Sequence, residues 1–314
     1  MQPETAIILL LRFLAIILFS ILFGFFLSWV ERKLTARMQG RIGPPYYQPL
    51  ADFLKLILAK EDLTPSSSSV SLFTIAPIAS LVTVALAMLF IPLNSVAPTL
   101  SFTGDVVLVF FLLTASTFMT MLGGSASSSP FGAVGASRLM TQTFAFELPL
   151  FISLTSVAIQ SGSLSLFRIV DYQLANGALF WTLLPATVAA VLCIPGKLSL
   201  APFNIPNAQT EIVEGSLTEY SGAKLGLFYL ANAIEWFVVT SLIADLFFFI
   251  SVGNWFAGVL LHLTICLVLA IVVTTIKAST ARLRIDQALR FYWVGVNILA
   301  LLGLALPFVW RSIG

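Results

Sequence analysis

A chain of 314 residues that is 59% hydrophobic and 10% charged does not have water as its main solvent, because soluble domains carry about a quarter charged residues. Its mean hydropathy of +1.01 leaves no room for a separate soluble domain. A net charge of +2 is too small for a nucleic-acid partner and leaves the lipid bilayer as the surroundings. These numbers predict an all-α polytopic transmembrane bundle, with residues 1–314 forming a single integral membrane domain.

About eight apolar runs are long enough to cross roughly 30 Å of hydrocarbon. The first, near 5–30, exceeds a signal-peptide core and runs into Glu31-Arg32-Lys33 without a small-residue cleavage site, so it is expected to stay as span one. A loop over 31–69 follows. It carries Arg32, Lys33, Arg37, Arg41, Lys55 and Lys60, and a Gly43-Pro44-Pro45 turn. Leu50, Phe53, Leu54, Leu56, Ile57 and Leu58 then recur at helical spacing, which predicts an amphipathic helix lying along the interface. Asp52 sits on that helix.

Spans two and three are expected near 70–93 and 103–123, followed by a basic-side loop over 124–142 with Arg138. Span four, near 143–161, contains Glu147 beside Pro149, which frees a backbone carbonyl and opens a polar pocket. Span five is expected near 178–196. The loop 197–225 places Glu211, Glu214 and Glu219 between Pro- and Gly-containing turns, at spacings that give no clean helical face.

Span six, near 226–251, holds Glu235 and Asp245. An ionisable group inside a span costs at least about 2.5 kcal/mol on insertion scales, so it faces the bundle interior and marks an ion pathway. Glu235 fits that pattern, whereas Asp245 reads as an exposed carboxylate at a helix end. Span seven, near 254–276, contains His262, the one histidine, expected to be neutral and bonded to a nearby carbonyl. A haem held by two histidines is thereby excluded within the chain. Cys193 and Cys266 lie alone in apolar runs and read as small buried residues. A last basic loop, 277–290, leads to span eight, near 291–310, with Arg311 at its end.

The basic residues alternate from loop to loop, and Arg168 alone marks the opposite side. The positive-inside rule then places both termini outside an inner or plasma membrane and all the large loops in the cytoplasm, with Arg12 snorkelling outward.

Three stretches carry a resemblance: Glu31-Arg-Lys-Leu-Thr-Ala-Arg-Met-Gln-Gly-Arg-Ile-Gly-Pro-Pro; Gln48-Pro-Leu-Ala-Asp-Phe-Leu-Lys-Leu; and the run from Pro202-Phe-Asn-Ile-Pro to Glu219-Tyr-Ser-Gly. Together they resemble the heel subunit family of respiratory complex I. That family includes the equivalent subunit of energy-converting, membrane-bound nickel-iron hydrogenases and of formate hydrogenlyase. The resemblance implies a membrane anchor without redox centres of its own. Iron-sulfur clusters and nickel-iron would reside in partner subunits: hydrogenase-like large and small subunits and a ferredoxin-like iron-sulfur subunit, beside antiporter-like membrane subunits.

The resemblance also implies a proton path over Glu147, Glu211, Glu214, Glu219 and Glu235. Arg32, Arg37, Arg41, Asp52 and Tyr220 would then line a cavity or dock a partner. The short Gly43-Pro-Pro-Tyr-Tyr-Gln-Pro turn and the Ser129-Pro-Phe-Gly-Ala-Val-Gly-Ala-Ser-Arg138 stretch resemble the hydrogenase branch rather than the quinone reductases. Where the family commonly reads PFD-x-PEAE-x-E, this chain has Asn204, Asn207 and Gln209, amides that cannot release a proton near neutral pH. Two other readings remain: the quinone-site subunit of a complex I-type oxidoreductase, and a stand-alone secondary transporter, which would require an internal repeat that is not evident.

Overall fold

In the computed structural model, which describes the backbone of residues 3–93, 97–250 and 254–313, the chain is helical throughout, with no β-strand among the described residues. Among the described residues, seven helices are long and apolar enough to cross a membrane. They are α1 (Pro3–Met38), α3 (Val70–Phe90), α4 (Asp105–Ala126), α5 (Pro130–Ser161), α9 (Gly222–Phe247), α10 (Trp255–Ser279) and α12 (Asn297–Ile313), the last entered through the short helix α11 (Ile285–Arg290) and a π-helical turn at Phe291–Val296. The expected fifth span is shorter. A turn at 179–183 precedes α7 (Leu184–Lys197), whose 14 residues rise about 21 Å. Its start is delayed because Gly177 breaks the chain with a positive φ of 86° and Phe180 N–H donates to Phe247 O instead of a helical carbonyl.

The amphipathic helix is α2 (Gln48–Leu58). Phe53 packs on Phe25 of α1, while Leu50, Leu54, Ile57 and Leu58 face outward, as an interfacial helix requires. Unforeseen in the sequence is α6 (Leu166–Asn176), which carries Arg168 in what reads as a plain connector. The loop expected over 124–142 also shrinks. Only residues 127–129 are non-helical, because Pro130 opens α5 at its first turn, where its missing N–H costs nothing.

One end of the bundle gathers the basic loops. Ser69 N–H donates to Ala126 O at 3.0 Å, Ser128 Oγ to Ser67 O at 2.8 Å and Leu283 N–H to Pro202 O at 3.0 Å. Segment 61–63 is stitched to the start of α9 by Leu63 N–H on Ser221 Oγ (2.9 Å), Ser221 Oγ on Glu61 O (3.1 Å) and Lys224 N–H on Asp62 Oδ1 (3.3 Å). A carboxylate at a helix N-terminus is favoured there by the exposed amides and the helix dipole. Gly222 is required at this join, since a Cβ would lie 2.4 Å from Asp62 Oδ1.

The central helix is α9, with 83% of its spanning window buried among α1, α3 and α10. Beside it the loop 198–221 folds back into the bundle through the small helix α8 (Gln209–Ile212) and a 3₁₀ turn at Gly215–Leu217. The turn reaches inward because α4 and α5 offer glycines. A Cβ on Gly124 would lie 2.7 Å from Ser216 Cβ, and one on Gly135 would lie 2.4 Å from Ser216 N. Gly135→Val should therefore overpack this seat and cost about 1–3 kcal/mol, read as a lowered unfolding temperature of the purified protein. Gly295→Ala, with nothing within 4 Å of the new Cβ, should leave that temperature in place.

Candidate functional site: a polar cavity beside a buried lysine–glutamate pair

The folded-back loop brings Glu214 to the same space as Glu235. A cavity of about 150 Å³ is lined by both carboxylates, by Lys197 and Asn207, and by Ser80, Ser116 and Thr117 of α3 and α4. Glu214 is held half-buried at its wall, where Tyr229 Oη donates to Glu214 Oε1 at 3.3 Å. Deeper in, Lys197 Nζ lies 3.0 Å from Glu235 Oε1, with the two side chains 3% and 12% exposed. The ammonium also donates to Leu113 O (2.7 Å) and Thr117 Oγ1 (2.6 Å).

Glu147 stands on the other side of the lysine. It lines a small void of about 10 Å³ with Lys197 of α7, with Thr114 and with apolar residues of α4, α5 and α9. The four groups form a run, Glu214, Glu235, Lys197, Glu147, from the basic loops into the bundle.

A second, larger cavity of about 370 Å³ adjoins the first across Tyr229 and Asn232 and lies between α1, α2 and α9. Phe25, Phe53, Leu225 and Trp236 supply apolar walls. The charged groups are Glu31, Arg32, Asp52, Lys55 and Lys60. Arg32 Nη1 pairs with Asp52 Oδ2 at 2.9 Å and Gln48 Nε2 donates to Asp52 Oδ1 at 2.8 Å, while Glu31 pairs with Lys277.

The remaining expected residues fall elsewhere. Glu211 lies outside the polar cavity, clamped between Arg138 (2.6 Å) and Arg282 (3.7 Å). The Arg138 hydrogen bond, then the Arg282 charge, holds its carboxyl below the ordinary 4.5. A depressed folded pKa means that the clamp is complete above pH 4.5 and is lost as pH falls below it. Hydrogen exchange over 209–217, corrected for intrinsic rates, should accordingly match at pH 6 and pH 8 and rise only below about pH 4.5.

Glu219 is half-buried and lines neither cavity. Arg37 and Arg41 are exposed, with Arg41 bonded to Gln39. Tyr220 is a packing anchor: it stacks on Phe73 at 4.0 Å, donates to Phe73 O at 3.1 Å, and has its hydroxyl pKa raised by burial. Asn204 is partly buried beside the cavity-lining Asn207, and the side chains of Gln209 and Arg311 lie outside the described residues.

Two readings of single residues are corrected. Asp245 is 1% exposed rather than an open helix end, and its Oδ1 lies 3.1 Å from His262 Nδ1. His262 therefore pairs with a carboxylate, not a carbonyl, and its Nε2 is 2.6 Å from Ser241 Oγ. Both follow from α9 being buried to its last turn, where an unpaired carboxylate would be costly. Lys197 was legible only as a loop charge, and the signal that could have found it is the run of small and apolar residues, Cys193-Ile-Pro-Gly196, that carries it inward.

The profile of the NADH dehydrogenase family matches residues 11–308. The chain belongs to this family. Among its curated relatives, an NADH-quinone oxidoreductase subunit of Thermomicrobium roseum is 34% identical over 92% of this chain and 92% of its own, and the subunit of the same name from Dehalococcoides mccartyi is 32% identical over 87% and 80%. A chain of the membrane-bound sulfane sulfur reductase, an archaeal respiratory membrane complex, superposes with a TM-score of 0.88 at 30% identity, covering 95% of this chain and 99% of that one. This NADH dehydrogenase-family chain is thus a heel-type, multi-pass membrane subunit of an oxidoreductase complex.

Proposed function

We propose that the chain is the non-redox anchor and coupling subunit of an ion-translocating complex of the membrane-bound nickel-iron hydrogenase type. Its basic end faces the cytoplasm and docks an electron-transfer arm, and its buried carboxylates move protons when that arm changes charge. The observation that carries this reading is the cavity joining Glu214 of the folded-back loop to the Lys197–Glu235 pair. Carboxylates close together in a low-dielectric setting set one another's proton occupancy, so a charge change at the docked arm is felt along the run. Glu211, clamped by Arg138 and Arg282, then holds the loop while Glu214 exchanges protons, and Glu219 serves the loop's outer part.

The short Gly43-Pro44-Pro45 turn supports the hydrogenase branch, and a relative whose name gives sulfane sulfur as what is reduced supports a heel fold that serves acceptors other than quinone. On this reading the partners are hydrogenase-like large and small subunits, a ferredoxin-like iron-sulfur subunit and antiporter-like membrane subunits. The clusters and nickel-iron belong to those partners. The positive-inside rule puts both termini outside an inner or plasma membrane. A second reading has its own support: the partly apolar, partly basic cavity between α1, α2 and α9, together with the curated relatives' names, suits the quinone-site subunit of a complex I-type enzyme.

Purification through a tag on this chain from native membranes separates the two. Co-purifying subunits with iron and nickel are the expected result, iron without nickel and quinone reduction would favour the second reading, and an active lone chain would overturn both.

A further inference from the structure

We infer that Lys197 is itself a proton carrier between Glu235 and Glu147, an inference that rests on the coupling role proposed above. Three observations lead to it. Among the described residues, Lys197 alone lines both the cavity holding Glu214 and Glu235 and the void holding Glu147. That void, at about 10 Å³ and walled by Phe110, Leu113, Phe146 and Leu150 among others, has room for at most about one water. A gap that small holds too little water for a water chain from Glu235 to Glu147, which leaves a side chain at its edge as the carrier. The lysine supplies one: its ammonium, 3.0 Å from Glu235, sits on a flexible four-carbon stem and lies near enough to Glu147 for its charge to act there.

The transfer balances without a further reactant. An N–H bond of the ammonium breaks as an O–H bond forms on the Glu147 carboxylate, leaving a neutral amine and a protonated Glu147. Glu235, protonated from the cavity, then gives its proton to the amine, which restores the ammonium and leaves a Glu235 carboxylate. One proton has moved from Glu235 to Glu147, and the buried pair is back in its starting charge state. The alternative is that Lys197 only neutralises Glu235. Arginine distinguishes the two, because it keeps the charge and does not deprotonate in proteins.

The test uses inverted membrane vesicles, with dithionite-reduced methyl viologen as electron donor, dye-reported proton uptake, and a strain lacking this chain as background. Lys197→Arg should assemble, as judged by co-purifying subunits, and should lower proton uptake by about 100-fold. Uptake at the wild-type rate in assembled Lys197→Arg overturns the inference. Glu147→Gln in the same vesicles keeps the underlying reading separate: if it retains wild-type uptake, the path as a whole fails, whereas a silent Glu147→Gln beside an active Lys197→Arg removes only the lysine's role. Should Lys197→Arg not assemble, the ¹⁵N-lysine-labelled wild-type complex decides. A label-sensitive ammonium band in its redox-induced infrared difference spectrum supports the transfer, and a spectrum without one overturns it.

Discussion

Glu147→Gln should leave the complex assembled, with its cluster content intact, and abolish redox-driven proton movement. The amide matches the carboxylate in size, so packing among Phe110, Phe146 and Leu150 is preserved. What is lost is the ability to take and release a proton at the inner end of the run. Because Glu147 faces a void with, among the described residues, no polar neighbour other than Thr114 and Lys197, no second carboxylate lines it to substitute. Proton uptake should therefore fall to the level of a strain lacking the chain, measured against unchanged subunit and iron content.

Glu235→Leu should have the largest effect on stability. It removes the partner of an ammonium that is 3% exposed, and an uncompensated buried charge costs about 3–5 kcal/mol. The two remaining acceptors, Leu113 O and Thr117 Oγ1, are neutral and do not replace it. The double variant Glu235→Leu with Lys197→Met removes both charges and should recover most of the loss, since apolar replacement of a buried pair is often neutral. Thermal unfolding of the purified complex in detergent checks both, and a Glu235→Leu protein as stable as wild type would show that the pair is solvated rather than buried.

The spans were legible because hydrocarbon leaves the backbone one economical solution, and long apolar runs between charged breaks mark it. Glu147 and Glu235 were legible for the same reason, as carboxylates where lipid would not tolerate them. Lys197 was not, because a basic residue at the end of a span satisfies the positive-inside pattern whether it points out or in. Its burial depends on α7 and on a loop seated against Gly124 and Gly135, which are tertiary facts.

The Asp245–His262 pair failed for a related cause. Its members are 17 residues apart on the consecutive helices α9 and α10, and single-residue reasoning put the aspartate at an open helix end. Helix α6 escaped because its 11 residues of mixed polarity carry neither a spanning run nor a turn signal. Among the acids of the 197–225 loop, spacing gave no way to separate Glu214, which meets the cavity, from Glu211, which meets Arg138 and Arg282.

The central claim is that the cavity carboxylate at Glu214 feeds the buried run, and the most direct test is the number of protons moved per electron by the purified complex in liposomes. Glu214→Gln, which keeps the shape at the cavity wall and the contact with Tyr229, should lower that ratio towards zero while electron transfer through the docked arm continues. A Glu214→Gln complex that moves as many protons per electron as wild type would contradict the account.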